Sequence, residues 1–343
     1  MLSFIRNKTS RLKLYYGLTI LMALSLLLGC VFVLTGSNIF AFTFSISFPI
    51  LALLNMVILL YWSIKKSRFL FVPLLGLIVF FLCFSSFVQF NVEKEKLTDD
   101  SFSLLTYNVR GLNENNEINQ KDVDKRIVGF VEDRDTDIVM FQEFSYSDFR
   151  NFETYPYHFL GYREGVAKSL QLVLSKFPIV NKGYVDFTNT LNNAMFVDVE
   201  YKEDVIRIYN VHLQSFSVKL EGSKSYANRR SELFKTISIA QKMRIDQVEM
   251  IMQHSKNFKG PIIICGDFNS TQFSSTYKSL KKGRKDTFVE AGFGLGTTYN
   301  LLSKYPLRLD YVLVDDTFEV VSHENFELKL SDHEPVLVEL IKN

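Results

Sequence analysis

Six short polar stretches stand where apolar runs end: Tyr107-Asn108, Gln142-Glu143, Asn210-Val211-His212, Asp267-Phe268-Asn269, Arg308-Leu309-Asp310 and Ser331-Asp332-His333. Together they hold what cleavage of a phosphoester requires: a hard cation on the oxygens, an activated water, and donors for the charge that builds on phosphorus. The carboxylates of Glu143 and Asp332 suit Mg²⁺, which prefers oxygen ligands and keeps several of its waters. His212, His333 and Asn269 are suited to donate to phosphoryl oxygens. Asp310 is suited to hold the imidazole of His333, as a carboxylate does for a catalytic histidine.

Each stretch also has a plainer reading. Asp267 and Asn108 are common turn residues, Asp310 fits the polar side of an alternating strand, and Asp332-His333 reads as a polar turn. The full set in one chain argues against that reading, because independent turns have no reason to supply metal ligands and phosphate donors together. His158, His254 and His323 have no such surroundings and read as surface or satisfied histidines. The run Lys278, Lys281, Lys282, Arg284 and Lys285 reads as a solvated face, with contact to anionic lipid or a nucleic-acid backbone as the sharper alternative. Arg163-Glu164 reads as loop charge.

The elements that must position these groups follow from hydrophobic pattern. Residues 261–265, bounded by Pro261 and Gly266, read as a buried strand that delivers Asp267 at its carboxyl end, where α/β proteins place their chemistry. Further strands are predicted over 102–109, 136–144, 170–175, 195–201, 205–212, 309–314 and 335–341. Helices are predicted over 120–134 and from 228 to about 254, with apolar residues at three- and four-residue multiples. Strands and helices are mixed, so the expected class is α/β, with two packed sheets flanked by helices.

The stretches Leu-Thr-Tyr-Asn-Val-Arg, Phe-Gln-Glu, Tyr-Asn-Val-His-Leu, Cys-Gly-Asp-Phe-Asn-Ser, Arg-Leu-Asp-Tyr-Val-Leu and Ser-Asp-His-Glu-Pro-Val resemble, in order and separation, the motifs of the endonuclease/exonuclease/phosphatase superfamily. The resemblance covers residues 101–343. It implies a four-layered α/β sandwich of the DNase I-like type and hydrolysis of phosphoesters with Mg²⁺ or Mn²⁺. It further implies that Glu143 and Asp332 bind metal with Asn108 close by, and that Asp267 positions or deprotonates the attacking water. Asn269 and His212 would contact the scissile phosphate, and His333, paired with Asp310, would stabilise the transition state or act as acid or base. Gln171 departs from the small residue that the family often carries before its Leu-Ser-Lys.

The first hundred residues are of another kind. Residues 14–34 form an uncharged run, and 39–64 and 69–90 form two more, the former broken only by Pro49 and Asn55. Each exceeds the roughly 20 residues that cross a bilayer, so three transmembrane helices are expected in a membrane anchor over 1–91, followed by a linker over 92–100. Cations at Arg6, Lys8, Arg11 and Lys13 and at Lys65, Lys66 and Arg68 put the N-terminus and the second link in the cytoplasm, and the remainder outside it. Residues 1–100 carry nine Lys/Arg against four Asp/Glu, and residues 101–343 carry 30 against 33. A slightly acidic catalytic part argues against a broad non-specific grip on nucleic acid. Cys30, Cys83 and Cys265 form no disulfide or zinc pattern.

The expectation is a monomeric hydrolase in the cytoplasmic membrane, its catalytic part outside the cytoplasm, acting on a lipid headgroup, a small phosphodiester or nucleic acid. One alternative is a nuclease that degrades extracellular DNA. The other is a catalytically silent binding domain, which would have no physical need to keep buried acids together.

Overall fold

A computed structural model describes residues 2–36, 38–84, 87–91, 100–146, 152, 154–216, 226–301 and 304–343. The chain divides into two units, residues 1–87 with 273–275 and residues 88–272 with 276–343. The expected linker falls almost wholly on 92–99, outside the described residues.

The first unit contains three apolar helices, Leu2–Thr35, Ile39–Ile64 and Phe71–Cys83. Asn38 opens the second by accepting from the amides of Phe40 and Ala41. Its polar break is partly satisfied: Asn55 Nδ2 donates to the carbonyls of Leu51 in its own helix and Met22 in the first. Trp62 donates to Thr19 Oγ1 at 2.8 Å. Leu12–Thr35 and Ile39–Ile64 are long and apolar enough to cross a membrane. The third run is not. A 3₁₀ turn, Arg68–Leu70, leads into a helix of 13 residues that ends at Cys83. At 1.5 Å per residue this is about 20 Å, short of a ~30 Å hydrocarbon core. The span count is therefore two, not three. The end of the run, Gln89–Phe90, is taken by a strand that pairs with Phe293–Gly294.

The second unit holds two six-stranded sheets. In spatial order, one comprises Phe318–Asn325, Val336–Lys342, Ser101–Asn108, Ile138–Gln142, Leu172–Ser175 and Tyr157–Leu160. The other comprises Lys285–Asp286, Asp310–Val314, Ile262–Asp267, Asp204–His212, Asn193–Tyr201 and Ile179–Val185. Each has one parallel pair at its centre, Ser101–Asn108 with Ile138–Gln142 and Asp204–His212 with Ile262–Asp267; the other pairs are antiparallel. Side chains alternate along a strand. Leu104, Met140, Ile208, Cys265, Val312 and Val338 form the core between the sheets. The opposite parity of the first sheet packs with Val123, Ile127 and Val131 of the helix Val123–Asp133. That of the second packs with Val248 and Ile251 of the helix Tyr226–Ser255. Helix, sheet, sheet and helix make the four layers expected.

Strands 157–160, 179–185 and 318–325 were not predicted. Asn181, Lys182 and Gly183 break the apolar run of an edge strand, and edge strands need only one buried face. Within the basic run, Lys278 and Lys282 are exposed as a solvated face requires, whereas Arg284 and Lys285 turn to internal partners. Arg284 Nε lies 3.2 Å from Asp315, and Lys285 donates to the carbonyls of Asp316 and Phe318. Arg163 is not loose loop charge either: it pairs with Asp186 and lies 3.9 Å over the Tyr184 ring.

Candidate active site

The site is the polar end of the inter-sheet core. Counting by twos from core residues gives it directly. Leu104 leads to Thr106 and Asn108, Met140 to Gln142, Ile208 to Asn210 and His212, Cys265 to Asp267, and Val312 back to Asp310. An amide layer comes first. Gln142 donates to Thr106 Oγ1 at 3.0 Å and to Asn210 Oδ1 at 2.7 Å, and Asn210 donates to the Phe141 carbonyl. These bonds tie the two sheets together just beneath the charged layer. Gln171, the departure noted in the sequence, is buried and donates to the Asn210 carbonyl at 3.0 Å, so it braces the same seam.

Register then sets the charged layer. Asp267 lies opposite His212 on one side and Asp310 on the other. Gly266 precedes it at φ +123°, and a Cβ there would lie 2.1 Å from the Val211 carbonyl, so only glycine lets the strands close at this point. Asp267 is fully buried and accepts from the Asn269 amide at 2.8 Å, Asn269 Nδ2 at 3.1 Å and Asn108 Nδ2 at 3.2 Å. Burial pushes its carboxyl up to about 6, opposed by His333 and His212 and aided by Asp310. His333 Nδ1 meets Asp310 Oδ2 at 2.8 Å, while Nε2 lies 3.6 Å from Asp267. Burial lowers the imidazole, but Asp310 and Asp267 outweigh it and raise it to about 10, so His333 is a cation at neutral pH.

Glu143 and Asn269 both adopt left-handed backbone, φ +48° each, in the turns that leave their strands. Such turns aim a side chain back over the strand end and cost strain for a non-glycine residue. Glu143 is half exposed, with Oε1 3.2 Å from Asn108 Nδ2 and 3.4 Å from His212 Nε2. His212 is buried, and neither ring nitrogen makes a hydrogen bond. Asp332 sits apart from these groups and takes a 2.7 Å bond from Arg110. Its turn is fastened to the site by Ser331, which donates to the Asn108 carbonyl at 2.8 Å.

All eight residues singled out in the sequence thus reach one end of the sandwich, in two groups. Asn108, His212, Asn269, Asp310 and His333 gather around Asp267, Glu143 stands at the rim beside Asn108 and His212, and Asp332 is held by Arg110. Asn269 differs from expectation in detail. Its side-chain NH₂ is engaged by Leu213 and Asp267, so it braces the buried acid.

The pattern of the Endonuclease/Exonuclease/phosphatase family matches residues 105–333. The chain belongs to this family. Among solved structures, a family protein from Bacteroides vulgatus is 18% identical at a TM-score of 0.55, covering 71% of this chain and 99% of that one. A mannosyl-6-phosphatase from Bacteroides thetaiotaomicron VPI-5482 is 20% identical, with a TM-score of 0.52 and coverage of 70% and 99%. D. rerio TDP2, solved with a single-strand DNA product, is 16% identical, with a TM-score of 0.52 and coverage of 71% and 99%. At these identities the likeness is one of fold. No curated protein matches the chain.

Three supports of the family site were missed in the sequence. Arg244, fully buried on the long helix, donates to the carbonyls of Gln214 and Asn269 at 3.0 and 2.8 Å. Gln247, one turn on, accepts from the Gln214 amide at 2.9 Å. Together they clamp the chain just beyond His212 to the turn just beyond Asp267. Thr298 accepts from the amides of Leu309 and Asp310 and so sets the start of the Asp310 strand. Only the three-residue spacing of Arg244 and Gln247 hinted at a shared face. Nothing in the sequence says what that face meets.

Proposed function

We infer that this chain is a membrane-attached phosphoester hydrolase that works with a divalent cation. The observation that carries the reading is the surplus of acid at the buried strand ends. Asp267 and Asp310 flank one imidazolium, His212 stands unbonded beside them, and Glu143 closes the rim.

The donor set fits a hard cation. Glu143 and Asn108, joined by Asp332 once it releases Arg110, would hold Mg²⁺ or Mn²⁺, which would polarise a phosphoryl oxygen and offset its charge. Asp267, Asp310 and His333 also offer ligand atoms within 4.8 Å of one another. There the protonated imidazole already supplies the positive charge, so that trio needs no ion to hold it. Asp267, its carboxyl raised toward neutrality, takes a proton from water. His212, with both nitrogens free of hydrogen bonds, donates to a phosphoryl oxygen. His333, oriented by Asp310, faces the charge that develops in the transition state.

Full-length protein assayed against phospholipids, sugar phosphates, nucleotides and plasmid DNA tests the reading. Hydrolysis should vanish with a chelator and return with Mg²⁺ or Mn²⁺; full activity in excess chelator overturns it. We expect a small or membrane-proximal phosphoester to be cleaved better than duplex DNA. The acidic balance of residues 101–343 and the internal pairing of Arg284 and Lys285 leave little basic surface for a duplex. DNA as the best substrate by about tenfold or more would make the nuclease alternative right.

Two spans return a chain to the side on which it began. With Arg6, Lys8, Arg11 and Lys13 in the cytoplasm, the two spans therefore leave residues 88–343 on the cytoplasmic side. A cytoplasmic reporter fused after Asn343 should fluoresce; an active alkaline phosphatase fusion there reverses the placement.

A further inference from the structure

On the second unit, Phe90 and Phe293 lie opposite each other in the short antiparallel ladder of Gln89–Phe90 and Phe293–Gly294. Their rings meet edge to face at 6.1 Å. Even so, they are 74% and 70% exposed, with Leu295 at 46%. The ladder is well anchored, since Asn91 Nδ2 donates to the Val289 carbonyl at 3.1 Å. Two phenyl rings fixed in water are costly for a soluble face, at roughly 25 cal/mol per Å² of apolar surface.

Three features say what covers them. The first unit ends at Phe87, and Phe90 follows three residues later, at most ~10 Å of chain. The helices of that unit leave Leu14, Leu28, Leu60, Phe71 and Leu82 more than half exposed, a surface suited to hydrocarbon. Finally, no charged residue occurs over 87–91 or over 291–303, so neither strand of the ladder would drag an ion out of water. Aromatic side chains in such a position match the belt that holds proteins at the headgroup boundary.

We propose that Phe90, Phe293 and Leu295 form a lipid-contact surface that seats the catalytic unit on the membrane interface. It rests on the reading that Leu12–Thr35 and Ile39–Ile64 lie in a bilayer. The consequence for the site is short-range in sequence. Beyond the strand Phe293–Gly294 the chain runs on to Thr298, which sets Asp310, and to Tyr299, whose ring lies 4.9 Å from that of His333. A lipid contact at Phe293 thus lies six residues from the site wall.

Full-length protein in phosphatidylcholine nanodiscs provides the test. Trp62 is the sole tryptophan, so Phe90→Trp and Phe293→Trp are made in Trp62→Phe and, should that background misfold, in the parent with the Trp62 signal subtracted. Leu24→Trp, on the first apolar helix, serves as the bilayer control. The expected result is blue-shifted emission at both ladder positions, strongly quenched by lipids brominated near the headgroup and little by aqueous iodide. Iodide quenching with water-like emission, alongside a lipid-quenched control, overturns the proposal while leaving the membrane reading intact. Emission shielded from both quenchers but dependent on protein-to-lipid ratio also overturns it, since a second copy then covers the rings. An unquenched Leu24→Trp removes both the membrane reading and the proposal, without touching the hydrolase reading.

Discussion

Two buried charged clusters in the second unit make an instructive pair. In one, Arg308 Nη1 reaches Asp286 at 2.9 and 2.8 Å, Tyr277 donates to the same carboxylate at 2.5 Å, and the Phe288 amide caps it at 3.0 Å. The guanidinium lies 4.6 and 4.7 Å over the rings of Phe288 and Tyr311. Burial raises the Asp286 carboxyl, but Arg308 and Tyr277 overcome this and hold it below its ordinary value. One acid meets one base and the charge closes. In the other cluster, Asp267 and Asp310 share one imidazolium, Asp310 Oδ1 has no hydrogen bond, and His212 has none. Burial is equal in the two places, so burial alone does not mark function. Unbalanced charge does, because a fold keeps such charge buried only where something else completes it.

The contrast is broken most directly through activity. His333→Ala and Asp267→Asn should each lower kcat by roughly 10²–10⁴ in protein that circular dichroism shows to be folded. Losses below about tenfold in both, outside that general acid–base range, would place the chemistry elsewhere.

The balanced cluster should answer in stability instead. Removing one partner, by Asp286→Asn or Arg308→Met, leaves an uncompensated buried group and should cost about 3–5 kcal/mol in denaturant unfolding. The double variant should recover much of this. A single-variant loss under about 1 kcal/mol, far short of that range, would mean the pair is not what holds the strand.

Arg244 lies between the two kinds, a buried cation held by carbonyls. Burial lowers its guanidinium to about 9, with Asp267 opposing. Arg244→Met strands the carbonyls of Gln214 and Asn269 and should cost about 1–3 kcal/mol, with a fall in kcat that Arg244→Lys partly restores. Equal kcat in all three proteins would show that the clamp does not position Asp267.

Near neutral pH the smallest expected effect is that of His323, which shows only as a slope at acid pH. His323 accepts or shares a proton with Thr287 at 2.8 Å and is buried neutral, lowered to about 3 chiefly by desolvation, with Asp286 opposing and Arg308 aiding. The unfolded imidazole binds its proton near its ordinary value of 6.5. Stability is therefore fully present above about 6.5 and is lost as pH falls toward 3, by at most about 1.4 kcal/mol per pH unit. His323→Gln should flatten that limb in pH-dependent denaturant melts. An unchanged slope would assign the acid lability to other groups.

Much of this was legible in the sequence because it is periodic. Apolar runs over 102–109 and 261–265 lead to Asn108 and Asp267, and so put the chemistry at strand ends on sequence alone. Pattern ordering along the chain was enough to indicate two sheets and the family. The third apolar run misled because hydropathy measures transfer out of water, not helix length. Residues 89–90 found strand partners at 293–294, which no local property of the run announces.

What the sequence by itself determined, then, is the set of candidate site residues, the two-sheet frame and the two long apolar helices. These depend on local composition and period. Tertiary structure alone decided the pairing of Asp267 with both His212 and Asp310, the clamp of Arg244 on two distant turns, the withdrawal of Arg284 from the basic run, and the exposed rings of Phe90 and Phe293. Each joins residues far apart in the chain, and register between strands fixes which of them meet.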